Sequence, residues 1–521
     1  MIATTPSVVF DDNSEYGRIQ IFTDVEEITK DNVIEVFNSA YSLHLQNSMK
    51  ENSLFLYERG KQDILFRTKP IRSDINEKLV INKASQIVDV HVGYCFGNPV
   101  TYVQRGKVED DDRKPATTSD DDNNFIAMLN KMMAEQDKAK KDVALARDYM
   151  ICGLGYQMVW MNDKEDQYSP FKITTLNPRT TFMVYRNDAF REPIMGCSYI
   201  LHADGSITAT MYTEKSCFKL TKFVTDSQKY EGLKETPNLL KQIPIVEFEH
   251  TDRMGVFEKV IPILDKANVL NSDRINDVAQ HVQSLLWLHN CMIDDEKKKK
   301  LIDGDGVIVT KSNGDGKEAK IEYLSQVIDQ SQVQTFADFL YRQVEEITST
   351  PSWQEASGGS TTGAMQLSNG WQSLELSAKS VEQSFKEPET QILRLVAKII
   401  ENDKRRVTKI KKVDVSDIEI SMPRNKNYDL VSKANALGTL LNVGCDGLWA
   451  YQTVGLFSDS EQAWIDSKEM VEEIQKSKVS STNNSANADT SDDGKGGTNN
   501  EPNEKVTESI QPSAVAQVEN T

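Results

Sequence analysis

Residues 357–366 read SGGSTTGAMQ, a glycine- and hydroxyl-rich run between two strongly helical stretches. Runs of this kind can wrap backbone N–H groups around a phosphate, with the following helix adding its partial positive charge. Nucleotide hydrolysis needs two further groups in the pattern GxxxxGK[ST]: a lysine for the terminal phosphates and a hydroxyl for magnesium. Here Gly363 is followed by Ala364 and Met365, and no strand pattern precedes the run. The expectation is therefore a flexible interhelical loop with no nucleotide chemistry.

Other residues with chemical potential fare no better as catalysts. Asp110 to Asp112 and Asp120 to Asp122 carry enough carboxylates for two metal ions, but they sit in DDDRKPATTSDDDNN, residues 110–124, which reads as an exposed charged loop. DGDG at 303–306 and NGDG at 313–316 lack the spaced carboxylates and closing glutamate of a calcium loop. His91, His281 and His289 pair with no serine or cysteine in a nucleophile motif, and structural roles are expected for them. Lys297, Lys298, Lys299 and Lys300 form a local basic patch, which is either a solvated loop or a contact for an acidic partner or phosphate backbone. No catalytic residue, metal or cofactor is expected.

The elements that would hold these segments alternate in type. A helical pattern opens at about Thr29 and turns at Gly60, and FIAMLNKMMAEQDKAKKDVALARDYMICGLG predicts one or two helices ending at Gly153 or Gly155. Short β-branched and aromatic runs from YQMVWMN to CFKLTKFV predict an antiparallel sheet. Phe257 to Leu288 sustains one helical stripe, a rod of roughly 50 Å at about 1.5 Å per residue. GVIVT and KIEYL, either side of KSNGDGKEA, suggest a hairpin. A second helix over 331–348 places Val333, Phe336, Phe339, Leu340, Val344 and Ile347 on one face. A long helix from about Met365 to Asp403 is expected to kink at Pro388, because an interior proline removes a hydrogen bond and crowds the preceding turn. DIEISMP reads as a strand, 427–476 as helical, and the Ser/Asn/Asp-rich stretch beyond as disordered.

Composition narrows the function further. The chain has 521 residues and a formal net charge of −19, which argues against a generally basic surface that grips nucleic acid. Six cysteines occur singly, with no CxxC pair, so neither a disulfide framework nor a zinc module is expected. No run of about 18 apolar residues occurs, and the first residues lack a basic segment followed by an apolar core, so no membrane role or secretion is expected.

Three stretches taken together resemble the portal, or head-to-tail connector, proteins of long-tailed bacteriophages. They are Tyr57 to Tyr102, with YERGKQDI, NKASQIVD and GYCFGNPV; Val246 to Val278, entering the first long helix; and Ser357 to Leu393, the loop and the helix after it. Their order carries the match more than any one motif. The resemblance implies an α+β, predominantly helical protomer that assembles into a twelve-subunit ring, or thirteen when free, around a channel. The wing would be 1–256, the stem helices 257–288 and 330–348, the clip 289–329 and the tunnel loop 349–364. A kinked helix would span 365–403, a return to the wing 404–426, a crown 427–477 and a disordered tail 478–521.

It implies Gly358, Gly359, Ser360, Thr361, Thr362 and Gly363 as a loop brushing double-stranded DNA without reading sequence. Lys297 to Lys300, with Asn313 and Gly314, would form the docking surface for the terminase large subunit and then the head-completion adaptor. Major capsid and scaffolding proteins would be further partners, in a virion assembled in the host bacterial cytoplasm. The competing expectation is another ring-forming minor virion protein without a DNA channel.

Overall fold

The computed structural model describes residues 17–70, 73, 75–104, 120–162, 168–224, 229–282, 285–289, 291–292, 311–312, 320–324, 330–352, 370–403, 415–424, 430–457, 460 and 463–471. The chain divides into two compact units, Met1–Asn427 and Tyr428–Thr521. Mixed helix and sheet make up the first, and helices the described part of the second.

In the first unit, β1 (Ile21–Thr23) precedes α1 (Val33–Glu58), and α2 (Lys83–Phe96) precedes β2 (Thr101–Gln104). The chain then forms α3 (Asp120–Glu135) and α4 (Lys138–Cys152). Asp120 to Asp122 thus open a helix instead of lying in a loop. Residues 105–119 lie outside the described residues. Gly153 ends α4 in the left-handed region at φ 78°, where a Cβ would come within 2.4 Å of the Arg253 and Met254 backbone. Only glycine fits there.

The runs expected to make one sheet make two. β3 (Leu154–Met161) pairs with β4 (Phe171–Leu176) and with β10 (Ile245–Glu249), all antiparallel. β5 (Thr181–Arg186), β6 (Pro193–Leu201), β7 (Ser206–Tyr212), β8 (Ser216–Val224) and β9 (Lys229–Pro237) form a meander that β1 joins in parallel beside β5. Burial divides them. The inward side chains of β5–β8 pack under the first half of α1, around Phe37, Tyr41, Phe182 and Phe223, whereas β3, β4 and β10 join the core of α2, α4 and the later long helix.

A second difference concerns the helix expected over 257–288. α5 spans Ile261–Val282, and Leu285–His289 form strand β11. Periodicity cannot distinguish helix from strand in the short apolar run LLWL, and a pairing partner decides. That partner is β14 (Lys320–Leu324), so KIEYL ladders with LLWLH in antiparallel register. The expected partner, residues 307–310, lies outside the described residues. A shorter ladder joins β12 (Cys291–Met292) to β13 (Lys311–Ser312). Beyond it come α6 (Gln330–Ile347) and α7 (Trp371–Asn402), then β15 (Ile418–Ser421), which pairs antiparallel with β2 far upstream. In the second unit α8 (Leu430–Val443) and α9 (Gly447–Val454) pack around Leu437, Ala450 and Tyr451.

Two buried ionic clusters organise the first unit. Lys138 lies between Asp142 at 2.5 Å and Glu389 at 3.1 Å, Tyr102 donates to Glu389 at 2.5 Å, and Gln157 donates to Asp142 at 2.9 Å. Burial pulls the lysine's pKa down, but attraction to Glu389 and Asp142 outweighs it and the ammonium is held. In the other cluster Glu247 receives Arg253 at 2.8 Å, Tyr156 at 2.6 Å and Tyr185 at 2.9 Å. Lys138→Met strands two buried carboxylates and is expected to cost about 3–5 kcal/mol, measured by urea unfolding.

Glu51 gives a pH signature. Burial pushes its carboxyl up to about 7, against the partial pull of Arg18 and Arg253. A folded pKa above the unfolded one means stability complete below about pH 4.5 and lost as the pH rises through 7. Glu51→Gln should therefore melt several degrees above the parent at pH 8 and within about a degree of it at pH 4, by calorimetry at both values.

Candidate functional site

The candidate site is built on α5, α6 and α7 and the base of the segment joining the last two. α5 and α6 run antiparallel: Asn271 donates to the Tyr341 hydroxyl at 2.8 Å, and Arg274 to Gln334 at 2.7 Å. The face of α6 that packs inward carries Ala337 and Val344. Phe336 and Phe339, on the apolar stripe, are half exposed at 53% and 50%, their rings stacked 6.4 Å apart. Ile347 beside them and Ile275 and Val278 on α5 are exposed as well. Small residues let the two helices approach closely, and that leaves the bulky side chains outside.

A polar row on α5 does different work. Leu79 and Ile81 donate backbone N–H groups to Ser272 at 2.9 Å and Asn268 at 3.0 Å, and Glu77 donates to Asn276 at 2.7 Å. The helix residues are spaced by four and the extended ones by two. Four helical residues rise about 6.0 Å and two extended residues about 6.6 Å, so the row substitutes for a neighbouring strand. Arg67 adds an ion pair to Asp273 at 2.8 Å. In sequence this row shows only as the spacing Asn-x3-Ser-x3-Asn interrupting an apolar helix.

Where α6 ends, Thr348 turns its carbonyl to His91 Nε2 at 2.9 Å. A carbonyl only accepts, so Nε2 carries the proton, and burial lowers the ring's pKa and keeps it neutral. Across from it Gly370 precedes α7 at φ 81°, where a Cβ would lie 3.7 Å from the Pro351 Cα. Pro351 and Gly370, on either side of residues 353–369, are therefore side by side.

α7 runs unbroken through Pro388, which is buried and adjoins Glu389 of the lysine cluster. On its first half two carboxylates are neutralised: Arg424 binds Glu375 at 2.7 Å and also Glu382, while Tyr94 donates to Glu375 at 2.6 Å. The exposed side of the same half carries Gln372, Ser373, Leu376, Lys379, Ser380 and Gln383 and no carboxylate. Of the other residues singled out from sequence, Gly358, Gly359, Ser360, Thr361, Thr362 and Gly363, the lysines 297–300, Asn313 and Gly314 lie outside the described residues.

An antiparallel helix pair with bulky apolar side chains exposed, and a helix whose first half turns no carboxylate outward, are surfaces expected of a subunit in a larger assembly. Sequence comparison gives the particular family: residues 47–476 match the family described as phage portal protein, SPP1 Gp6-like, and the chain belongs to it. No curated protein matches the chain significantly. The family is structural rather than enzymatic, and membership implies a virion component that forms an oligomeric ring and meets capsid and packaging components.

Replacing both Phe336 and Phe339 by Ser should shift the protein toward monomer in light scattering after size exclusion. Because both rings are half exposed, monomer stability should change by no more than about 0.5 kcal/mol.

Proposed function

We propose that this chain forms the dodecameric ring at one capsid vertex, whose channel passes double-stranded DNA during packaging and ejection. The wing would comprise 1–256, the stem 257–288 and 330–348 with α5 and α6, the clip 289–329 and the crown 427–477. α7 and the segment before it would face the channel. The clip, with Lys297 to Lys300, Asn313 and Gly314, would meet the terminase and later the head-completion adaptor.

The observation that carries this reading is the open face of α7. In a chain of net charge −19, the outer side of the first half of α7, with glutamine, serine and lysine around Leu376 and Glu387 one turn beyond, is neither acidic enough to repel a phosphate backbone nor basic enough to hold it. Arg424 produces that balance by drawing Glu375 and Glu382 to the other side. A polyanion in transit needs a wall of this kind.

Native mass spectrometry of the full chain should give twelve- or thirteen-subunit rings with a central hole by electron microscopy. A compact monomer at every concentration and salt would sink the proposal. For the wall itself, Lys379→Glu with Gln383→Glu should leave the ring intact and lower the amount of DNA packaged in a reconstituted reaction by tenfold or more. Undiminished packaging would remove α7 from the channel.

A further inference from the structure

A groove of about 740 Å³ opens between the two sheets of the first unit. Its volume falls within the range of clefts that hold small ligands or a few peptide residues, roughly 300–1,000 Å³, and it is too narrow for a nucleic-acid duplex. On one side stand Trp160 of β3 and Lys172 of β4, which are cross-strand partners. On the other stand Tyr212 of β7, Lys219 of β8 and Lys234 of β9. Trp160 and Tyr212 meet across the gap with ring centroids 5.6 Å apart.

Three lysines of this groove are unspent, whereas a fourth, Lys141, donates to the Gln136 carbonyl, and Asp137 adds a carboxylate to the lining. Lys172, Lys219 and Lys234 are exposed and make no ion pair among the described residues, although carboxylates outnumber basic residues 79 to 60 in the chain. Lys219 and Lys234 also stand directly opposite each other in the β8–β9 ladder. Like charges in that position repel, so the sheet carries a cost that an anion between them would remove. The indole N–H of Trp160 and the hydroxyl of Tyr212 likewise have no hydrogen-bond partner among the described residues. At the rim, the Glu135 carboxylate is already engaged by the backbone N–H groups of Tyr168 at 2.9 Å and Ser169 at 2.7 Å.

Ammonium groups above a half-buried aromatic pair suit a chain that alternates carboxylates with apolar side chains. An extended segment turns alternate residues to one side, so its acidic residues would meet the lysine row while the intervening side chains cover Trp160 and Tyr212. We infer that the groove between the two sheets is a docking site for an extended acidic peptide segment of a partner protein, held by Lys172, Lys219 and Lys234. The inference is independent of the ring and its channel.

The test uses the full-length protein and a fluorescein-labelled octapeptide alternating glutamate and leucine, followed by fluorescence anisotropy. Binding is expected to weaken as salt rises and to fall at least tenfold in K219Q/K234Q, with Lys30→Glu, remote from the groove, unchanged. Thermal melts of all variants within a few degrees of the parent keep the comparison one of binding. Equal affinity of parent and double variant would overturn the assignment, as would equal binding of an octapeptide with glutamine in place of glutamate. An eight-nucleotide oligothymidine that binds more tightly than the acidic peptide, and loses affinity in the same variant, would overturn it in favour of a nucleic-acid strand.

Discussion

The ammonium of Lys138 is the point on which the first unit turns. It is buried at the start of α4, where an unpaired charge is prohibitively costly, so its partners must be brought to it from wherever they lie in the chain. Asp142 comes from the same helix, Glu389 from α7 some 250 residues later, and Tyr102 from β2. β15 then pairs with β2, so the last part of the first unit is tied to the same place. Such a cluster adds little net stability compared with a well-packed apolar one, yet it tolerates few alternative registers. A helix of 32 residues could slide by a turn along an apolar bed; Glu389 opposes that slide.

The same economy of charge shapes α7. Glu375, Glu382 and Glu389 follow one another at intervals of seven, and each is met by a cation supplied by another part of the chain. With these three carboxylates turned inward, the outer side of the first half is left with amides, hydroxyls, Leu376 and Lys379. Helical geometry makes this unavoidable, since residues seven apart lie nearly on one line and those between them face elsewhere. The polarity of the open face is thus a consequence of how the inner face is anchored.

Much of this was legible in the sequence, and the exceptions have physical causes. A glycine stop near Gly153, α6, the strand at Ile418–Ser421 and the order of blocks that carries the family resemblance all rest on local signals of turn residues, caps and periodicity, whereas the break between α3 and α4 stays open in the sequence. LLWLH was misjudged because a short apolar run has no period of its own and waits for a partner. Dividing one expected sheet into two required knowing what covers each face, and β9, with Gly, Lys and Glu throughout, has no strand-like composition at all. The stripe on α6 is legible as one face, but periodicity identifies an apolar face without saying whether its own chain covers it. Lys138, Tyr102 and Glu389 look like ordinary surface residues until the fold brings them together.

That last distinction bears on how a subunit of this charge can associate at all. At −19 per chain, copies repel one another at long range, and the repulsion decays over about 8–10 Å at physiological salt. Attraction must therefore act at contact, where apolar area leaving water contributes roughly 25 cal/mol per Å² irrespective of net charge. Phe336, Phe339, Ile275 and Val278 supply such area on a rigid antiparallel pair that the polar row Asn268, Ser272 and Asn276 fixes against the extended segment 77–81. A rigid patch makes association directional, because only one relative placement buries it fully. Diffuse repulsion combined with one directional contact disfavours irregular aggregates more than an ordered, closed assembly, in which every subunit uses that contact.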